Sequence, residues 1–274
     1  MNWRSIWAIV QKDLKEARQN KAAWGPAVVV PLIFAVAMPI LFIVLPQVIP
    51  VEDVQRELGD LDALMRNMPP AFQALFDGKS LEQTFVLYAA GFMLAPMFLI
   101  MPLMFSTVVG SDSFVGERER KTLEALLYAP TSDLELFLGK ALAAILPAIG
   151  LSWITYAVYI VVVDAASYPL FGRIWFPLAT WWPMMLWLTP ALAVLGISAT
   201  VLISSRVKTF MEAYQLSASL VVLVLALVIG QVSGVLFLGV GTVMIIGLFV
   251  WLADALLLYL SVKKFNRSSL IAKL

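Results

Sequence analysis

The sequence predicts an all-α membrane protein that crosses the bilayer six times as a single transmembrane domain over residues 1–274. Of its 274 residues, 61% are apolar and only 14% are charged. The apolar residues come in blocks of about 20 or more, whereas a soluble core would produce short amphipathic runs. The basic residues cluster in every second connection between these blocks and at both termini. This distribution predicts an even number of spans.

The composition also limits the chemistry of the chain. It contains no Cys and no His, which excludes thiol nucleophiles, disulfides, imidazole bases and the commonest transition-metal ligands. Catalysis by this chain alone and a metal site are therefore not expected. The formal charge of +1 is close to neutral and gives no indication of a nucleic-acid partner.

Residues 1–21 are predicted to form an amphipathic helix on the inner membrane surface. Its apolar face would carry Trp3, Trp7, Val10 and Leu14, and its polar face would carry most of Lys12, Asp13, Lys15, Glu16 and Arg18. A solvated arm is the alternative. A cleaved signal peptide is disfavoured because the charged region before the apolar run is too long.

Six segments are apolar enough to span a hydrocarbon core of about 30 Å, which takes about 20 helical residues. They are 22–46, 84–109, 137–163, 183–204, 214–234 and 241–262. The last two are joined by an uncharged, glycine-containing stretch, 230–241, that indicates a turn.

The charges place both termini in the cytoplasm. With that orientation, 15 of the 19 Lys and Arg lie inside, as the positive-inside rule requires. Six aromatic residues would then form a belt at the outer interface: Tyr168, Phe171, Trp175, Phe176, Trp181 and Trp182.

The outer segment 47–82 is predicted to contain an amphipathic helix from Val51 to Met68, stopped by Pro69-Pro70. Ser80 and Gln83 form a capping box that opens the second span. The acidic excess of this segment would repel anions or attract cations at an exit, or belong to a solvated face. Gly78-Lys79-Ser80 is like the end of a phosphate-binding loop, but the preceding glycine that the motif requires is absent, so no nucleotide site is expected.

The inner connection 110–136 contains the densest mixed charge in the chain, within FVGERERKTLEALLYAPTSDLE (114–135). A short helix is predicted around Leu123 to Leu127, and a second capping box, Ser132 with Glu135, opens the third long helix. A short helix with charges at one end and leucines along one side suits docking to a groove on a soluble partner. A solvated loop with topogenic charges is the alternative.

The pattern G-E-R-E-x-x-T-L-E-x-L-L-x-x-P, present as Gly116 to Pro130 and followed by Ser132-Asp133 and Gly139-Lys140, resembles the permease subunit of type-2 ABC exporters (the ABC-2 family). The N-terminal helix running into a proline-containing span is similar to that family, as is Ser205-Arg206-Val207-Lys208-Thr209 after the fourth span. The resemblance covers essentially the whole chain.

The resemblance implies a multi-pass exporter subunit of the bacterial cytoplasmic membrane, surrounded by membrane lipids and paired with a second permease copy as a homodimer or heterodimer. ATP and Mg²⁺ would be bound by a separate ABC ATPase, and this chain would hold no cofactor. The 114–131 connection would be the coupling helix. The residues expected to carry coupling are Gly116, Glu117, Arg118, Glu119, Arg120, Thr122, Leu123, Glu124, Leu126, Leu127 and Pro130.

Two intramembrane features are candidate pathway elements. Asp254 lies within the sixth span, where a carboxylate costs about 2.5 to 3.5 kcal/mol; it is either a cation or proton site or a hydrogen-bond partner of a neighbouring helix. Met93, Met97, Met101 and Met104 fall at helical spacing in the second span, which suits an adaptable apolar surface or plain packing.

Two other functions stay open at this point: a secondary transporter or channel that uses Asp254, and a non-transporting membrane anchor or sensor. A secondary transporter often has an inverted repeat and several intramembrane charges, and the sequence has neither. The transported substrate is open among ions, drugs, peptides, lipids and glycans.

Overall fold

Helices make up the regular structure of this protein in the computed structural model, which describes residues 1–19, 29–49, 68–120 and 131–264. In chain order they are α1 (Trp3–Gln19), α2 (Val29–Val48), α3 (Pro70–Gln73), α4 (Leu81–Glu119), α5 (Asp133–Phe171), α6 (Trp181–Ser204), α7 (Phe210–Val232) and α8 (Val240–Lys264). These described ranges contain no strand. Six of the helices, all except α1 and α3, are long and apolar enough to cross a membrane. The predicted all-α, six-span fold is confirmed.

Two of the spans are much longer than a bilayer requires. Helices α4 and α5 have 39 residues each, which corresponds to roughly 58 Å at 1.5 Å per residue, against about 30 Å of hydrocarbon. The predicted spans 84–109 and 137–163 therefore identified only the apolar middle of each helix. Helix α4 continues through 110–119 toward the 121–130 connection, whereas most of the extra length of α5, 164–171, lies at its other end.

Both predicted capping boxes are confirmed. The Ser80 hydroxyl accepts a hydrogen bond from the Gln83 backbone N–H at the start of α4, and Ser132 does the same for Glu135 at the start of α5. These caps satisfy backbone donors that the first helical turn leaves unpaired. Most of the amphipathic helix predicted between Val51 and Met68 lies outside the described residues.

Helices α4 and α6 form the centre of the bundle. The most apolar stretch of α4 is 72% buried, whereas that of α8 is only 17% buried. Small residues permit close approach: a Cβ on Gly110 would lie 2.5 Å from Ile197 Cδ1, and one on Gly196 would overlap Ser106. Helix α5 packs along α4, and α8 packs on α6.

Helix α4 departs from α-helical geometry near its first third. A π-helical turn at Ala89–Met93 is followed by a 3₁₀ turn at Ala95–Leu99, and Pro96 has no backbone N–H to donate. Side chains from three other helices bond the carbonyls in this break: Tyr159 Oη to Ala90 O (2.6 Å), Trp181 Nε1 to Gly91 O (2.8 Å) and Gln231 Nε2 to Phe92 O. The irregular backbone is thereby satisfied inside the bundle, as membrane helices require.

The aromatic prediction is correct only in part. Tyr168 and Trp182 are more than half exposed, as an interfacial belt requires, but Phe176 and Trp181 are buried. The Asp164 carboxylate accepts hydrogen bonds from the backbone N–H groups of Trp175 (3.2 Å) and Phe176 (3.1 Å). These bonds hold the segment after α5 against the bundle, so its rings join the core.

Helix α1 is formed as predicted, and it packs against the bundle through one face; its orientation on the membrane surface stays a prediction. Trp3 and Trp7 are exposed, and the buried positions Ile6, Val10, Asp13 and Ala17 follow each other at steps of four and three residues. Asp13, which the pattern grouped with the polar face, is thus buried against the bundle. Asp13 is buried because its carboxylate bonds polar side chains of α4 and α5.

Candidate functional site

One end of the bundle, here called the α1 end, brings together α1, the end of α4 and the start of α5. Contact is close because Gly139 faces α1: a Cβ there would lie 2.8 Å from Ile9 Cβ. The Glu135 carboxylate, which caps α5, also accepts a hydrogen bond from the Asn2 N–H at 2.5 Å. The first turns of α1 and α5 are thus tied together.

A set of titratable side chains and one serine fills the space between these three helices. We call it the charge cluster: Lys12, Asp13 and Glu16 of α1, Ser113 and Glu117 of α4, and Lys140 of α5. Glu117, Lys140 and Asp13 are 0%, 1% and 4% exposed. Charged side chains are almost never buried to this extent unless they are paired.

Lys140 is the centre of the charge cluster. Its Nζ donates to Glu117 Oε2 at 2.5 Å, to the Ser113 carbonyl at 2.7 Å, and to Ser113 Oγ at 3.2 Å. Asp13 Oδ2 lies 3.4 Å from the same nitrogen and accepts from Ser113 Oγ at 2.5 Å. One ammonium group therefore connects a carboxylate from α1 with a carboxylate and a backbone carbonyl from α4.

Lys12 supplies the second positive charge. Its Nζ bonds the other oxygen of Glu117 and lies 3.3 Å from Glu16 Oε2 and 3.4 Å from Asp13 Oδ1. Burial alone would lower the pKa of Lys12, but the hydrogen bond to Glu117 and the nearby carboxylates outweigh burial and raise the pKa. Lys12 is thus positively charged at neutral pH.

The carboxylates of Asp13, Glu16 and Glu117 lie within 4.8 Å of one another, a spacing that a metal ion could bridge. Two ammonium groups already neutralise most of this negative charge. The charge cluster is therefore explained as an ion-pair network, without a metal.

The charges that follow Glu117 also bond within the chain. The Arg118 guanidinium donates to the carbonyls of Ser204 (2.9 Å) and Val207 (2.7 Å), at the end of α6. Glu119 accepts from the Phe210 N–H at 2.7 Å, at the start of α7. The end of α4 thereby holds the 205–209 connection in place.

Arg120 and Gly116 complete this segment. Arg120 Nη1 lies 2.8 Å from Asp112 Oδ1, and a Cβ on Gly116 would lie 2.7 Å from that same oxygen. Gly116 therefore leaves space for the Asp112 side chain beside Arg120.

The predicted coupling residues divide into two groups. Gly116 to Arg120 are described, and their polar groups face other parts of this chain. The others lie outside the described residues: Thr122, Leu123, Glu124, Leu126, Leu127 and Pro130. A role for either group in coupling stays a prediction.

The methionine positions do not lie on one regular helix. Met93 belongs to the π-helical turn and Met97 to the 3₁₀ turn, and both pack against the main core, while Met101 is buried and Met104 half-buried. Their spacing of three and four residues therefore does not define a single α-helical face. Their pathway role stays a prediction.

Asp254 is 1% exposed, and neither of its carboxylate oxygens has a hydrogen-bond partner among the described residues. The structure therefore provides no interhelical hydrogen bond of the kind that a purely structural role would use.

Sequence reasoning treated Lys140 as a topogenic charge and missed its role. A signal was present: Lys140 is a lone cation within LFLGKALAAIL, where a merely solvated lysine would interrupt an apolar face. Its acidic partners Asp13 and Glu117 are 127 and 23 residues away in sequence. No local pattern indicates that pairing.

Comparison with known families is consistent with this architecture. The family described as ABC-2 family transporter protein matches residues 7–266. No curated protein and no solved structure matches the chain. The family match begins within α1, extends past the end of α8 and includes all six membrane-crossing helices. The chain therefore belongs to the ABC-2 family, as a multi-pass membrane component of an ABC transporter.

Proposed function

We propose that this chain is the permease subunit of an ATP-driven exporter in the bacterial cytoplasmic membrane. A separate ABC ATPase would bind ATP and Mg²⁺ and dock on the 114–131 connection at the α1 end. Two permease copies, identical or paralogous, would enclose the pathway. This proposal gives the α1 end the cytoplasmic position that the distribution of Lys and Arg favours.

The observation that carries the proposal is the buried junction next to the connection. Helices α4 and α5 flank residues 121–130, and the charge cluster holds their ends together with α1. A force applied to the connection would therefore act on two helices that continue across the membrane. A solvated topogenic loop would not need buried ion pairs beside it.

A dimer is supported by the exposed apolar surface of the outer helices. The most apolar stretches of α2, α7 and α8 are only 28%, 22% and 17% buried within one chain. Lipid or a second permease copy would cover these faces. A simple anchor needs only one span, so six spans with a central irregular helix favour transport over anchoring.

The test is to co-express the full chain with its ATPase and to measure both pull-down and permease-dependent ATP hydrolysis in lipid nanodiscs. The variant Leu123→Asp with Leu126→Asp places charges on the predicted docking side. We expect it to lose pull-down and the permease-dependent rate. Asp77→Asn, at an exposed site at the opposite end, is the matched control and should leave both unchanged.

Folding is checked separately, because a misfolded variant would lose both signals. The chain has no Cys, so Ile9→Cys with Leu136→Cys, two side chains that pack together between α1 and α5, would report by disulfide formation whether α1 still contacts α5. Unchanged pull-down in the double aspartate variant would contradict docking of the ATPase at 114–131. Absence of wild-type binding to the ATPase would remove the exporter assignment itself.

A further inference from the structure

Asp254 lies on the one face by which α8 attaches to the rest of the bundle. That face consists of residues 243, 247, 250, 254, 257 and 261, at alternating steps of four and three. A Cβ on Gly247 would overlap the Trp187 ring of α6, and Ser261 Oγ donates to the Ser198 carbonyl of α6 at 3.2 Å. Asp254 is midway between these two contacts and so faces α6.

Among the residues that the structure describes, the elements packed against this face of α8 offer no positive charge that could stabilise a carboxylate. The segments packed most extensively against α8 all belong to α6, and α6 has no titratable residue along its whole length. Leu258, one turn further on, contacts a cluster whose members from α4 and α5 are apolar. On α8 itself, Tyr259 is 65% exposed and so points away, and Lys263 and Lys264 follow roughly 14 to 15 Å along the helix axis.

An ionised carboxylate can only accept hydrogen bonds, and helices offer mainly acceptors at their sides because their N–H groups are already used. A protonated carboxyl has an O–H to donate. Polar residues of α6 already donate an O–H to a helix carbonyl in this way: the hydroxyls of Ser198 and Thr200 each donate to the carbonyl four residues earlier at 2.7 Å. The site therefore accommodates the protonated form and not the ionised form.

A metal cation fits the site less well than a proton. Hard cations such as Ca²⁺ and Mg²⁺ take about six or more oxygen ligands. Asp254 is the only carboxylate of α8, and the nearest hydroxyl on the same face of α8, that of Ser261, is two turns away and already bonded. A proton needs a single oxygen.

We propose that Asp254 is a proton-binding site in the contact between α6 and α8, and that release of its proton separates α8 from α6. The step is a simple ionisation: the carboxyl gives one proton to water and becomes a carboxylate. The buried negative charge then has no partner, so water must enter the contact or α8 must move away. Trp251, one turn earlier, has an indole N–H that also lacks a partner among the described residues, and it is a donor that the ionised form could recruit.

The first test is infrared spectroscopy of the full-length chain in lipid nanodiscs at neutral and alkaline pH. We expect the C=O stretch of a protonated carboxyl in the wild type at neutral pH, absent from Asp254→Asn and retained in Glu82→Gln, an exposed site. If the wild type and Asp254→Asn give the same carboxyl band, Asp254 is ionised and the proposal is wrong. Asp254→Leu provides a second neutral variant if the Asn variant does not fold.

The second test measures the separation of the helices. Ser198→Cys with Ser261→Cys places the only two thiols of the chain across the contact. At alkaline pH we expect the disulfide yield to be several-fold lower with Asp254 present than with Asp254→Asn, and at neutral pH we expect equal yields; comparison at one pH cancels the effect of pH on thiol reactivity. An equal change in both backgrounds would contradict the separation. Both tests use the permease without its ATPase, so their outcome does not depend on the proposed exporter function.

Discussion

At the scale of single residues, Lys140 shows how a buried charge can be tolerated at the end of a membrane helix. Moving an ammonium group out of water costs several kcal/mol. Here the carboxylates of Asp13 and Glu117 and both oxygens of Ser113, the carbonyl and the hydroxyl, surround the ammonium group. Such a network is sensitive to the loss of any one member, because the remaining charges are then buried without compensation.

Replacing Lys140 by Met is expected to destabilise the protein by about 3 to 5 kcal/mol, the usual effect of removing one partner of a buried pair. Thermal unfolding in nanodiscs measures this loss. Lys208→Met, at an exposed position, is the matched control. Adding Glu117→Gln to Lys140→Met should recover part of the stability, and a wild-type midpoint for Lys140→Met alone would show that the charge cluster is not a stabilising contact.

Arg118 has a different role, because its partners are backbone carbonyls of the 205–209 connection. The variant Arg118→Leu is expected to release this connection and to raise tryptic cleavage after Arg206 and Lys208 several-fold. Both sites are exposed, so the cleavage rate reports local opening. Removing an exposed arginine at the opposite end, Arg173→Leu, should leave the rate unchanged. Equal rates for Arg118→Leu and wild type would mean that other contacts hold the connection.

At the scale of elements, the break in α4 is stabilised by other helices. A helix with unpaired carbonyls in a membrane needs donors from elsewhere, and α5, α6 and α7 each provide one through Tyr159, Trp181 and Gln231. The backbone of this break therefore cannot rearrange while these three bonds stay intact. Movement of α4 would involve α5, α6 and α7 together.

A double-mutant cycle tests whether Gln231 compensates for Pro96. Gln231→Leu removes the donor to the Phe92 carbonyl and should cost about 1 to 3 kcal/mol. Pro96→Ala restores a backbone N–H within reach of that carbonyl, so the cost of Gln231→Leu should be smaller in the Pro96→Ala background. Unfolding midpoints of the four proteins give the coupling. Equal costs in both backgrounds would show that the two residues act independently.

At the scale of the whole molecule, α1, α4 and α5 form one unit at the α1 end. Gly139→Leu would push α1 away from α5, because even a Cβ at this position overlaps Ile9. We expect the variant to bind the ATPase normally, since the 121–130 connection is unchanged, but to lose most of the permease-dependent ATPase rate. Gly150→Leu, where a Cβ meets no atom within 4 Å, is the control. Full activity of Gly139→Leu would show that α1 is dispensable for coupling.

The sequence was sufficient for the fold class because hydropathy and helix caps are local properties. The six spans, the Ser80 and Ser132 caps and the turn between α7 and α8 all follow from such signals. The pairing within the charge cluster could not be predicted, because its members come from three helices that are distant in sequence; only Lys140, a lone cation in an apolar run, carried a local signal. The π-helical turn in α4 depends on Tyr159, Trp181 and Gln231 for its stability, and these side chains are 69 to 139 residues away from the carbonyls that they bond.

The unusual length of α4 and α5 has a mechanical consequence. Each helix is roughly 58 Å long, so a rigid tilt of about 5° about one end would displace the other end by roughly 5 Å. This displacement is lateral, and it is about half the distance of roughly 8 to 10 Å that separates the axes of packed helices. A rotation small enough to keep the charge cluster hydrogen-bonded would therefore change the packing at the far end. Opening at that end would need no large rearrangement where the force is applied.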